Sequence, residues 1–311
     1  MKRFALIVTV LFLISNGALA APLATAARSV IPKLTQQIIN VDYRTMKGST
    51  TAMALKDRVM PPNLKEFEDA LRGVGINPDK DVDTLAFVTF RSEKSGLRMI
   101  GIAQGQFSAK KIIQRFAANK IKPVKYHTSN LYPSGTGLQM TFLDDFTMLF
   151  GDDGAIRDSL DARNGDAESV ASNADLTDLI NGASDGAIWS VLDQEGTQNM
   201  MHSALGDASQ VADFDAIKQR ILGSRYAMDF SSGVKFDLDV VTADSITAGT
   251  LSALVKAGMA YRRMTATGND KLAVDNLSAD SDGNRLRVHF KANDNQFQTL
   301  LSSDFFAAVS K

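Results

Sequence analysis

Hydrophobic positions along this chain follow two rhythms, every second residue in some stretches and every third or fourth in others. The helical rhythm is clearest over 63–74, where Leu64, Phe67, Leu71 and Val74 form one stripe. It returns after Ser108, which caps a helix with Ile112, Ile113 and Phe116 on its buried side. It also runs from Ile246 to Met264, behind the cap residue Asp244, and ends at Arg262 and Arg263, where the helix dipole favours positive charge. The two-residue rhythm marks strands at 38–44, 85–90, 97–107, 124–131, 138–143 and 146–150. A second set follows at 187–192, 225–230, 234–241, 272–279 and 285–291. Further helices are predicted at 51–59, 155–162, 197–205, 214–222 and 296–309.

The order strand, helix, two strands, helix, strands and helix thus occurs twice. It predicts an α+β fold made of a duplicated unit, with largely antiparallel sheets and helices on one face. The expected division is 1–20 as a leader, 21–30 as a flexible lead-in, 31–165 as the first unit and 174–311 as the second. In 234–241, alternation buries Val234, Phe236, Leu238 and Val240 and leaves Lys235, Asp237 and Asp239 outside. In 285–291 it buries Leu286, Val288 and Phe290 and leaves Arg287, His289 and Lys291 outside, so one face of the second sheet is expected to be open and charged.

The leader is read from a different pattern. Lys2 and Arg3 precede an apolar run from Phe4 to Ile14, and Ala18-Leu19-Ala20 supplies a small-x-small cleavage site. That run is too short for a membrane span, which needs roughly 20 apolar residues. The expectation is a periplasmic or secreted protein with no membrane span after signal removal. The chain has no cysteine, which excludes disulfides, thiolate metal sites, a cysteine nucleophile and a lipid-modified cysteine. Its formal net charge of −1 becomes about −3 once Lys2 and Arg3 are removed, so no overall pull toward nucleic acid is expected. His127, His202 and His289 are far apart in sequence, and no metal site and no cofactor is assigned from them.

Candidate chemistry was weighed motif by motif, and no catalytic residue emerges. Gly182-Ala183-Ser184-Asp185-Gly186 has the G-x-S-x-G spacing of serine hydrolases. That motif needs a strand before the serine and a helix after it, and the order here is reversed. Ser108-Ala109-Lys110-Lys111 has S-x-x-K spacing, yet its companion elements, Ser303-Asp304-Phe305 and Lys256-Ala257-Gly258, fall in predicted helices. The acidic stretches 79–83 and 280–284 lack the glycine and glutamate positions of an EF-hand loop. His289 with Arg287, Asp237 and Asp239 lies on the expected open face, which offers neither the burial nor the strong coupling that acid–base work needs.

Charge segregation is the least ordinary feature. From Phe107 to Phe142 there is no acid, against the bases Lys110, Lys111, Arg115, Lys120, Lys122 and Lys125. From Asp144 to Asp193 there are twelve acids against Arg157 and Arg163. Two readings follow: an anion-binding patch, or two blocks that lie across one surface and neutralise each other.

Parts of the first unit also resemble a pattern found in exported bacterial proteins of unknown function. The residues concerned are Gly75-Ile76-Asn77-Pro78 with Asp81-Val82-Asp83, Gly105-Gln106-Phe107, Leu131-Tyr132, and Leu149-Phe150-Gly151 followed by Ala155-Ile156 and Leu160. The resemblance spans roughly 30–163 and implies fold and export only. The leading functional expectation is a non-catalytic binding or interaction protein whose partner is an envelope component, anionic if the basic stretch is its contact. The alternative is an exported hydrolase with an unidentified site. Mass spectrometry of the exported protein checks the leader: the mature chain is expected to begin at Ala21, and a chain still carrying Lys2 and Arg3 contradicts the reading.

Overall fold

A computed structural model describes residues 23–59, 62–92, 96–134, 137–183, 186–205 and 214–300. The leader and the serine of the G-x-S-x-G stretch lie outside these residues. The strands are β1 (Thr35–Asp42), β2 (Val82–Ser92), β3 (Gly96–Gly105), β4 (Val124–Tyr126), β5 (Ser129–Pro133), β6 (Gln139–Phe142) and β7 (Thr147–Gly151). β8 (Ile188–Leu192), β9 (Ile221–Asp229), β10 (Val234–Thr242), β11 (Leu277–Asp282) and β12 (Arg285–Ala292) follow. They form one 12-stranded sheet in the order β11-β12-β10-β9-β8-β1-β2-β3-β7-β6-β5-β4. Its strand pairs are antiparallel, so the α+β class holds.

The middle of the sheet is the pairing of β1 with β8, in register from Gln37↔Leu192 to Val41↔Ile188. On one side of this joint the order is β1-β2-β3-β7-β6; on the other it is β8-β9-β10-β12-β11.

Neighbouring residues along β1 and β2 feed opposite faces, as a strand requires. One face carries Val41, Leu85, Ala103, Met148 and Phe150. It is covered by α4 (Pro62–Gly73) through Leu71 and Val74 and by α6 (Ala109–Ala118) through Ile112 and Phe116. The stripe residues Leu64 and Phe67 lie outside the described side chains. The other face carries Ile38, Val88, Ile102, Leu149, Trp189 and Val191. Over these lie α7 (Asp153–Asn164) with Ile156 and Leu160, and α8 (Ala174–Gly182) with Leu176 and Ile180. The expected covering on one face therefore describes only part of the sheet: at β1, β2 and β3 both faces are buried. Across β9–β12 the rule does hold, with Met201, Leu251, Val240 and Leu286 packed on one side and charged residues on the other.

Two local expectations need correction. The lead-in is not loose, because α1 (Thr25–Ser29) seats Ala27 in the core and Val30 and Ile31 follow it with no exposure. A window of small residues reads as flexible from sequence, yet alanine is also the best helix former and fits close against a sheet. The strand expected at 272–279 starts late. Leu272, Ala273 and Val274 belong to α12 (Gly268–Asp275), and only Leu277–Asp282 pair as β11. The buried pair Ala273 and Val274 packs equally well from a helix, which periodicity over three residues cannot distinguish from a strand.

Ile38 is fully buried at the central joint, packed with side chains from both sides of it. Replacing it with alanine is expected to cost about 2–5 kcal/mol in denaturant unfolding, and a cost under about 1 kcal/mol would mean the joint is not tightly packed.

Candidate functional site

Helix α6 begins where Ser108 accepts a hydrogen bond from the Lys111 amide, at 3.3 Å. The hydroxyl therefore serves as the helix N-cap, the structural role its position offers. Ala109, Ile112 and Phe116 turn inward, and Phe116 stacks on Tyr132 with ring centres 4.8 Å apart. The opposite side presents Lys110, Lys111 and Arg115 to solvent. At the far end, Lys120 adopts a left-handed backbone (φ 58°) and Ile121 donates to the Phe116 carbonyl, closing the helix. Lys120, Lys122 and Lys125 are exposed beyond this turn, Lys125 on β4.

The six predicted bases thus do not converge. Arg115 reaches back to Gly75, whose positive φ of 86° and lack of a side chain leave room for the guanidinium. Only Lys110 lines a cleft, a concavity of about 740 Å³ at the N-terminal end of α6. Arg44, Asp83, Gln104, Gln106 and Phe146 contribute to its wall. Arg44 and Asp83 pair at 2.7 Å, and Phe146 stands largely exposed on the turn between β6 and β7. Gly105 is required here, because a Cβ on it would lie 2.0 Å from the Asp81 carbonyl. Sequence reasoning missed Arg44, Gln104 and Phe146, which reach the cleft from separate segments.

Placing Lys110 and Lys111 in the first turn of α6 opposes the helix dipole, which favours acids at that end. Among the described residues neither lysine has an ion-pair partner. The acidic block does not supply one. Its helix, α7, lies on the opposite face of the sheet, and its acids pair elsewhere: Asp152 with Arg98, Asp153 with Arg157 at 2.7 Å, and Glu168 with Lys33 at 2.8 Å. Only Asp144 and Asp145, in the turn beneath α6, lie close to Lys110. Mutual neutralisation of the two blocks is therefore largely absent.

The open face of β9–β12 is charged, as alternation predicts. Asp239 is shared by Arg225 at 2.8 Å, Arg285 at 3.4 Å and Arg287 at 3.8 Å, while Arg287 also meets Asp282 at 2.8 Å. His289 faces Asp237 at 2.5 Å. These charges satisfy each other across neighbouring strands, and no enclosed acid–base group results. The acidic stretch 79–83 is not a loop, since Pro78–Asp81 form a short helix capped by Asn77 and Val82 opens β2, whereas 280–284 includes the β11–β12 turn, with Gly283 at φ 55°.

A second constellation links the β4–β5 turn to α7. Tyr126 donates to Asp161 at 2.7 Å, and His127, in a left-handed backbone (φ 49°), brings Nε2 within 2.8 Å of the same carboxylate oxygen. Arg157 lies over the Tyr126 ring, 4.5 Å from its centre. Burial, with the Asp161 carboxylate as second cause, pushes the Tyr126 phenol up to about 12. A raised phenol stabilises the fold fully below about pH 10, the unfolded value, and that contribution disappears as pH rises through about 12. An alkaline absorbance titration of Tyr126→Phe is expected to lose one late-ionising group; loss of a group titrating near 10 instead would contradict this environment.

Compared with known proteins, the chain matches no family model and no curated protein. Among solved structures it is similar to crystal form I of TP0453, with a TM-score of 0.47 and 9% identity over 94% of this chain and 98% of that one. Crystal form IV of TP0453 gives a TM-score of 0.43 and 8% identity over 91% and 97%. Likeness at this distance carries no functional argument.

Proposed function

We propose that the chain is an exported, non-catalytic binding protein of the cell envelope that offers the N-terminal end of α6 to an anionic group of an envelope component. The observation that carries this reading is the placement of Lys110 and Lys111. Two lysines with no ion-pair partner among the described residues occupy the end of a helix where lysine is locally unfavourable, and one of them, with Asp145 beside it, opens onto a cleft. Residues that break a local rule without a structural return concentrate at functional positions. An anion seated there would meet first-turn backbone amides, the positive end of the helix dipole and the Lys110 ammonium together. Phe146 on the rim adds an apolar surface beside the charge, which suits an amphiphilic or ring-bearing ligand. Export supplies the compartment: the leader pattern directs the chain away from cytoplasmic anions and toward those of the envelope.

No helix among the described residues is long and apolar enough to cross a membrane, so contact with the envelope is read as surface binding. Retention on a resin carrying a phosphorylated polysaccharide tests the site as salt is raised. Lys110→Gln with Lys111→Gln is expected to elute at clearly lower salt than the parent, and Lys122→Gln with Lys125→Gln close to it. Equal shifts in both pairs, or none in the first, would overturn the assignment to α6.

A further inference from the structure

We infer that His127, Asp161 and Asp166 form a binding site for one divalent cation of the zinc class. The three side chains come from two segments that the fold holds rigidly. Asp161 lies in the last turn of α7, and its carbonyl accepts hydrogen bonds from the amides of Gly165, Asp166 and Ala167. Gly165, at φ 85°, turns the chain back at that point and so sets Asp166 beside Asp161. His127 arrives from the β4–β5 turn, its ring edge-on to Tyr126 with centres 4.4 Å apart.

The donor atoms converge closely enough for one ion to draw them into a coordination shell. His127 Nε2 is 2.8 Å from Asp161 Oδ1 and 3.5 Å from Asp166 Oδ2, and the three donor atoms lie within 4.8 Å of one another. With metal–ligand bonds of about 2.0–2.2 Å, neighbouring donors of a tetrahedral or octahedral ion sit about 3.0–3.5 Å apart. One imidazole and two carboxylates match a borderline d-block cation; calcium and magnesium prefer all-oxygen shells. Tyr126, donating to Asp161, holds that carboxylate in place as an outer-shell partner does.

Charge points the same way. Asp161 and Asp166 bring two negative charges, and the C-terminal end of α7 adds the negative end of its dipole. Among the described residues no lysine or arginine pairs with either carboxylate. Arg157 forms its ion pair with Asp153, although it also attracts Asp161 at longer range, and Arg163 donates to the Leu143 carbonyl. A dication ligated by neutral imidazole would balance the site. Solvent reaches it from one side, leaving room for water to complete the shell.

The site stands apart from α6, on the other face of the sheet, and its test does not depend on anion binding. Equilibrium dialysis of the mature chain against zinc, read by elemental analysis, measures it directly. The parent is expected to take up one equivalent that excess calcium or magnesium does not displace. His127→Gln and Asp166→Asn are expected to lose it, while His202→Gln and His289→Gln retain it. Asp166 is exposed and pairs with His127, so its substitution leaves the fold intact, which circular dichroism checks. Absence of a bound equivalent in the parent, or its retention in either His127→Gln or Asp166→Asn, would overturn the site.

Discussion

The whole arrangement depends on β1 pairing with β8. Each of these strands begins a similar run of elements, and each would otherwise end its own sheet with a free row of backbone donors and acceptors. Joined antiparallel, they remove both edges and make a single sheet whose central strands lie far from any margin. Such strands can be apolar on both faces, and β1 and β2 are: Ile38 and Val88 on one side, Val41 and Leu85 on the other. With no disulfide in the chain, this two-sided core holds the fold together.

The same joint decides where charge can go. Because the sheet separates its two faces, the bases on α6 lie apart from the acids of α7, and of the acidic block only Asp144 and Asp145 come near Lys110. The acids find partners that arrive from β3, from the lead into β1 and within α7 itself. Among the described residues, the lysines at the start of α6 find none. Toward β12 the helices cover one side only, and the exposed side is stabilised by cross-strand pairs such as Asp239 with Arg225.

Much of this was legible in the sequence, for reasons that differ between elements. Strands β10 and β12 announced themselves because one face is wet, so alternation is strict, as in Phe236, Asp237, Leu238 and Asp239. Helix α6 was legible from its cap and stripe, and its bases from their isolation among neutral residues. Leu272–Val274 misled because a short apolar run has no period to read. Covering on both faces was missed because β1 and β2, buried twice over, lose the alternation that marks a sided strand. The cleft wall and the His127 cluster were illegible for another reason. Arg44, Gln104 and Phe146 are brought together only by strand order, and His127 meets Asp161 across a register that no spacing rule encodes.

Native-state hydrogen exchange at β1 and β8 tests the central role of their joint most directly. If the two halves share one core, the amides of residues 37–41 and 188–192 exchange only through global unfolding, with the same protection as β2. The edge strands β4 and β11 then exchange earlier, by local opening. Exchange of β1 and β8 at lower protection than β2 and β9, with the outer strands still closed, would contradict the account: the two halves would then be separate bodies that merely touch.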